Sequence, residues 1–363
     1  MPPTASKLCS SNVRLLTPPI MLGRASTPAG RRMFTSLAPP VRRTGTIPEG
    51  SGSVRSTSLN PRVKTKEASF NPLRFASTLY IPPRTSTSEG TAASLPPQVG
   101  PHRGWALLNS ASVNPLLGQH AYRLSEAGVA GNRTSHGAEN NLRKIRLLLE
   151  HDASNTFGME DLLQDVGFDE AYDAVAHQIG NPPDREENPE RGCIDPARTA
   201  AGLVEAGGRI GAVAGSGGRL IFATGHPGAM ILYYLGLARW ARELGGDALT
   251  AETRGRYERE VSLDWAESVA ALGDGASLFH THDPEPMRDV LRQTGAVDLV
   301  VADHGFAGAA IAAGVPTIVV MDTNDPAFAV VAGRGADVTV VPMDDNRPLN
   351  AYSTALDVVR RGA

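Results

Sequence analysis

Apolar residues fall at helical spacing from about Ala121 onward. In Glu139–Glu150 (ENNLRKIRLLLE), Leu142, Ile145, Leu148 and Leu149 recur three and four apart, as on one face of an amphipathic helix. Met159–Val166 and Asp169–Ile179 read as two further short helices. Prolines and charges break the pattern into a loop over Asn181–Arg191. Asp195 and Pro196 then make a helix start, an N-cap followed by a proline whose missing N–H is no loss in the first turn, and this helix is expected to run to about Gly207.

Beyond residue 208 the pattern changes to short apolar runs alternating with helices. Arg219–Thr224, Ala276–Phe279, Asp298–Ala302, Thr317–Met321 and Val338–Val341 read as buried strands. Ala229–Leu244, Met287–Thr294, Phe306–Ala313, Ala327–Ala332 and Ser353–Arg360 read as the helices between and after them. Such alternation demands a parallel sheet covered on both faces, with right-handed crossovers. The expected fold is therefore α/β: a doubly wound, Rossmann-like parallel sheet over 208–363, preceded by a helical layer over 121–207.

Composition adds a second piece. Residues 1–100 hold 13 Lys and Arg against 3 Glu and no Asp, and 14 of the chain's 27 prolines. Such a segment cannot bury enough surface to offset its ordering entropy. Residues 1–115 are expected to be a disordered tail, or upstream sequence read through from a misassigned start, with a targeting or basic interaction tail as the third reading. Residues 101–363 sum to −13, which argues against a nucleic-acid partner for the folded part. No run of eighteen apolar residues exists, so no membrane span is expected, and the expected location is cytoplasmic. Cys9 and Cys193 are too few and too far apart for a disulfide framework or a thiolate metal site.

The strands share one feature. Nearly every one ends in a polar cluster: Thr224-Gly225-His226, His280-Thr281-His282-Asp283, Asp303-His304, Asp322-Thr323-Asn324-Asp325 and Asp344-Asp345-Asn346. Each cluster alone reads equally as a helix cap. Together they belong on one edge, because the carboxyl ends of parallel strands lie side by side and ligands bind there.

Gly225-His226-Pro227-Gly228 opens a helix, so Thr224, Gly225, His226 and Gly228 are candidates to hold a phosphate on free N–H groups. His226, His282 and Asp303 are the candidate catalytic groups. His280 and His282 lie two apart at a strand end and point the same way, with Asp283 next. Asp283, Asp303, Asp322 and His280 are thus candidate ligands for a divalent metal, Mg²⁺ or Mn²⁺ first, with Fe²⁺ and Zn²⁺ also suited to such a set. A metal-free site in which the histidines touch substrate directly stands beside this.

Common signatures are absent. There is no G-x-x-x-x-G-K-[ST], no G-x-S-x-G, and no G-x-G-x-x-G following a strand. Lys144 is the only lysine beyond residue 66, so no lysine clamp is available unless that one serves.

The segments ENNL (Glu139–Leu142), CIDPARTA (Cys193–Ala200), FATGHPGAMILYY (Phe222–Tyr234), LFHTHDPEPM (Leu278–Met287), DLVVADHGFAGAAI (Asp298–Ile311) and VVMDTNDP (Val319–Pro326) together resemble a small actinobacterial family of phosphatases, over about Ala121–Arg360. The resemblance implies hydrolysis of a small phosphomonoester. It brings no established catalytic residues, so the site stays the one inferred from strand ends. A non-hydrolytic binder or isomerase of a sugar phosphate or nucleotide on the same edge is the alternative, and a regulatory protein on a degenerate fold the third.

Overall fold

The computed structural model describes residues 115–185 and 189–362. The expected N-terminal tail lies outside the described residues. Along the chain come α1 (Pro115–Ala127), β1 (Gly131–Thr134), α2 (Ala138–Leu149), α3 (Ala153–Thr156), α4 (Phe168–Ile179), β2 (Gly192–Ile194), α5 (Pro196–Gly215), β3 (Arg219–Ala223) and α6 (Pro227–Glu243). Then follow β4 (Asp247–Ala248), β5 (Ser262–Ala266), β6 (Val269–Gly273), β7 (Leu278–Phe279), α7 (Glu285–Thr294), β8 (Leu299–Ala302), α8 (His304–Ala312), β9 (Thr317–Met321), α9 (Pro326–Gly333), β10 (Val338–Pro342) and α10 (Ser353–Gly362).

The central sheet is mixed but mostly parallel. β10, β9, β8, β3 and β6 lie side by side in that order, all parallel, and β5 closes one edge antiparallel to β6. Counted along the chain, the parallel strands stand second, first, third, fourth, fifth across the sheet. The chain leaves β3 on one side and returns on the other, so a topological switch point lies between β3 and β8.

Strand alternation sorts the core into two layers. Ile221, Val300 and Val319 face α2, α4, α8 and α9, packing with Ile145, Val175, Phe306 and Phe328. Leu220, Phe222, Val301 and Val320 face α1, α5, α6 and α10, packing with Leu124, Leu203, Tyr234 and Val358. The helices of residues 115–215 divide between these two faces. No described helix is long and apolar enough to cross a membrane.

Three elements differ from expectation. The strand expected at Ala276–Phe279 shrinks to Leu278–Phe279, and it pairs antiparallel with β6. The place beside β3 belongs to β6, reached through a hairpin whose two turn residues are Glu267 and Ser268, with Glu267 at φ 53°. The helix expected over Met159–Val166 is one 3₁₀ turn, Glu160–Leu162, because Phe157, Gly158 and Asp165 all take positive φ. β1 and β2 form a small antiparallel ribbon that is too short to show a period in the sequence. Asp195 does cap α5, its carboxylate accepting from Ala197 N with Pro196 in the first turn, but α5 runs on to Gly215.

Candidate active site

The loops after β3, β7 and β8 bring four of the chain's nine histidines, and the loop after β1 a fifth, toward a group of buried aspartates on the loops after β8, β9 and β10. His226 and His280 stack with ring centroids 4.5 Å apart, and His304 lies 4.7 Å from His282 and 5.1 Å from His280. Phe157 walls the group, 5.0 Å from His282 and 5.8 Å from His304, and stacks on Phe328 behind. The loops approach so closely that a side chain at Gly225 would run into the Thr281 carbonyl and the His304 side chain, and one at Gly305 into the His282 and Asp283 carbonyls.

Asp303 orients its neighbours. Its carboxylate is fully buried and accepts from Thr224 Oγ1 at 2.7 Å, Gly225 N at 2.6 Å and His304 Nδ1 at 3.0 Å. His226 N in turn donates to Thr224 Oγ1 at 3.0 Å. Thr224, the Gly225 N–H and the His226 N–H are therefore engaged within the turn, and they set its shape instead of lying open to an anion. Gly228 stands in the first turn of α6. His304 takes φ 47°, a left-handed backbone that a histidine adopts only under constraint. Because its Nδ1 proton goes to Asp303, its Nε2 faces inward and sits 3.6 Å from Asp345 Oδ2. Burial works against charge on His304, but Asp303 and then Asp345 outweigh it and raise its pKa to about 9.

Asp345 lies at the centre. Its other oxygen is 3.5 Å from His226 Nδ1. Burial would push Asp345 up, yet the close approach of the His226 imidazole and the charge of His304 bring it down to about 2. On the far side His136 Nε2 approaches Asp322 Oδ2 at 3.5 Å. Asp322 accepts from Thr323 N on its first oxygen only; burial, then Asp344, Asp345 and Asp325, push its pKa well up. Asp325 is pushed up to about 6, by burial first. Burial and the charge of His304 hold His280 at about 4 and His282 at about 3, so both are neutral imidazoles. His282 Nδ1 contacts the Ser154 carbonyl, so it carries the proton, and His282 Nε2 faces His280 Nε2 at 3.2 Å.

Two expected ligands behave differently. Asp283 accepts from Glu285 N at 2.9 Å just ahead of α7 and lines a cavity with His280 and His282, but it joins no close group of three possible metal ligands among the described residues. Asp303 is the partner of a histidine and not itself at the open centre. The sequence gives no site role to His136, His304, Asp325 or Asp345. His136 enters from the loop after β1, which Asp344 ties down by accepting from Ser135 N at 3.0 Å and from its hydroxyl. Asn141 on α2, buried, accepts from Thr323 Oγ1 at 3.0 Å and donates to the Pro183 carbonyl at 2.9 Å. A buried polar residue on an apolar helix face, as in the ENNL segment, was the available signal for that contact.

Three triads place one ligand atom each within 4.8 Å of one another: His226–His280–His304, His136–Asp322–Asp345 and His304–Asp325–Asp345. Asp322 Oδ2, Asp345 Oδ2 and His226 Nδ1 are buried without a hydrogen-bond partner. Buried polar atoms ordinarily find partners, and imidazole and carboxylate suit a divalent cation. The residues present therefore fit a metal ion. Beside the cluster a cavity of about 560 Å³, lined among others by Ser154, Glu258, Arg259, His280 and His282, opens outward.

A family model described as Phosphatase matches residues 117–360. The chain is also 35% identical over 253 residues to "Phosphatase SCO2771" of Streptomyces coelicolor, a stretch covering 65% of this chain and 93% of that protein. The match takes in the parallel sheet and every residue of the polar edge. The chain belongs to the Phosphatase family.

Proposed function

We propose that this phosphatase hydrolyses a small phosphomonoester with the help of divalent metal, at the carboxyl edge of the sheet beside the β3–β8 switch point. The observation that carries this is the set of buried, unpartnered oxygens on Asp322 and Asp345 among inward-facing histidines. The charge balance supports it. Asp322, Asp325, Asp344 and Asp345 crowd one site, and a phosphate dianion would be repelled from it unless cations stand between. When bound, divalent metal polarises the phosphoryl oxygens and lowers the pKa of water.

The chain's own residues do the rest. Asp345, Asp322, His136, His226, His280 and His304 form the cation-holding wall. Asp303 fixes the His304 tautomer and the Thr224–His226 turn. The cavity beside His280 and His282 has a volume suited to a small organic group. Water adds to phosphorus, the bond from phosphorus to the ester oxygen breaks, and that oxygen takes a proton to leave as an alcohol. His282 lines this cavity and stands outside the three metal-ligand triads, so we assign its Nε2 the role of taking the proton that the attacking water gives up and passing it to the ester oxygen; a bound dianion beside it opposes the burial that keeps it neutral.

A panel of phosphomonoesters with Mg²⁺, Mn²⁺ or EDTA tests this. Phosphate release that EDTA abolishes is the expected result. His282→Gln should lower kcat roughly 10²- to 10⁴-fold while metal content stays that of the wild type. No release from folded protein with any metal would overturn the hydrolytic assignment in favour of a phosphate-ligand binder. Loss of metal from His282→Gln would make His282 a ligand instead.

A further inference from the structure

Resting on the metal-assisted reading, we propose that the site is dinuclear. Two first-row transition-metal ions share the Asp345 carboxylate, one held by His226, His280 and His304, the other by His136 and Asp322. The first two ligand triads have no residue in common. The third, His304–Asp325–Asp345, takes one member from each and marks the seam between them. Asp345 spans that seam: one oxygen lies 3.5 Å from His226 Nδ1, the other 3.6 Å from His304 Nε2, and the same carboxylate groups with His136 and Asp322.

Each half carries its own unsatisfied atom. His226 Nδ1 is orphaned in the histidine half, Asp322 Oδ2 in the aspartate half, and Asp345 Oδ2 at the seam. The side chains of Asp322 and Asp345 are 0% and 3% exposed, so solvent does not satisfy them. One ion in either half would leave the other half's orphan unpaired. Outer contacts also aim the ligands: Asp303 accepts from His304 Nδ1, which leaves Nε2 facing inward to exchange its proton for a metal ion, as carboxylates behind the ligands arrange at metal centres. Ions about 3.5–4 Å apart clamp the attacking and leaving oxygens of an in-line displacement. Three imidazoles in one half favour Mn²⁺, Fe²⁺, Co²⁺ or Zn²⁺ over Mg²⁺ or Ca²⁺, which prefer oxygen.

The test is a Mn²⁺ titration of the chelator-stripped full chain, followed by metal analysis and electron paramagnetic resonance. Two tightly held Mn²⁺ per chain with a spin-coupled spectrum are expected. Asp345→Asn should abolish the coupling and lose at least one ion. His280→Ala and His136→Ala should each retain one, with the six-line spectrum of isolated Mn²⁺. One ion in the wild type, or two without coupling, would overturn the dinuclear centre and leave the metal-assisted phosphatase standing. No ion from either Mn²⁺ or Zn²⁺, in protein folded by circular dichroism, would overturn both. The wild-type count decides the matter even where a variant fails to fold.

Discussion

Asp322→Asn is expected to stabilise the metal-free protein while abolishing its activity. Asp322 is fully buried, has one oxygen without a partner, and is crowded by Asp344, Asp345 and Asp325. Asparagine keeps the acceptor that Thr323 N uses and places an amide donor where the orphaned oxygen stood, toward His136. Removing one buried like charge should gain about 1–2 kcal/mol, or roughly 2–6 °C in the melting temperature of the stripped protein. The loss of an anionic ligand should cost several kcal/mol in the transition state, on the order of 10³-fold in rate. Thermal melts of stripped protein and phosphate release of the loaded protein check the two halves. A variant that is less stable when stripped, or that keeps full activity, would show that Asp322 is an ordinary buried acid.

Asp303→Ala should do the reverse and destabilise the fold whether or not metal is present. Its carboxylate receives three hydrogen bonds, from Thr224, Gly225 and His304, and none of the three donors reaches bulk water easily. Deleting it leaves a buried N–H, a buried hydroxyl and a cation-prone imidazole without their acceptor. A loss of about 3–5 kcal/mol is expected, a drop of roughly 10 °C or more in melting temperature. Asp303→Asn retains one acceptor and should lose less stability, yet should free the His304 tautomer and so still weaken metal binding, by about 10- to 100-fold. A melting temperature for Asp303→Ala within 2 °C or so of wild type would contradict this role.

These opposite signs separate the two kinds of aspartate that the sequence cannot tell apart. Apolar runs marked β3, β8, β9 and β10 and the polar clusters at their ends, because parallel strands buried on both faces are legible as short apolar blocks. The β5–β6 hairpin was not legible: its turn is Glu267-Ser268, without the Gly or Asn that usually marks such a turn, and Glu267 is forced to positive φ. Asp283 and Asp345 look alike in sequence, each beside a helix start or loop, but one accepts from Glu285 N ahead of α7 and the other faces three histidines. His136 was invisible for a different reason. It lies far from the strand ends in sequence, and the Ser135–Asp344 contact that brings it in is tertiary. The backbone at Gly225 and Gly305 shows why those glycines flank the histidines, since the loops pass too closely for any side chain.

The measurement that bears most directly on the central claim is anomalous diffraction from crystals grown with Mn²⁺ and inorganic phosphate. Anomalous density against Asp345, flanked by His304 on one side and Asp322 on the other, with phosphate oxygens bound to it, is the predicted result. Manganese or phosphate bound elsewhere on the protein, with the Asp345 carboxylate left bare, would contradict the account.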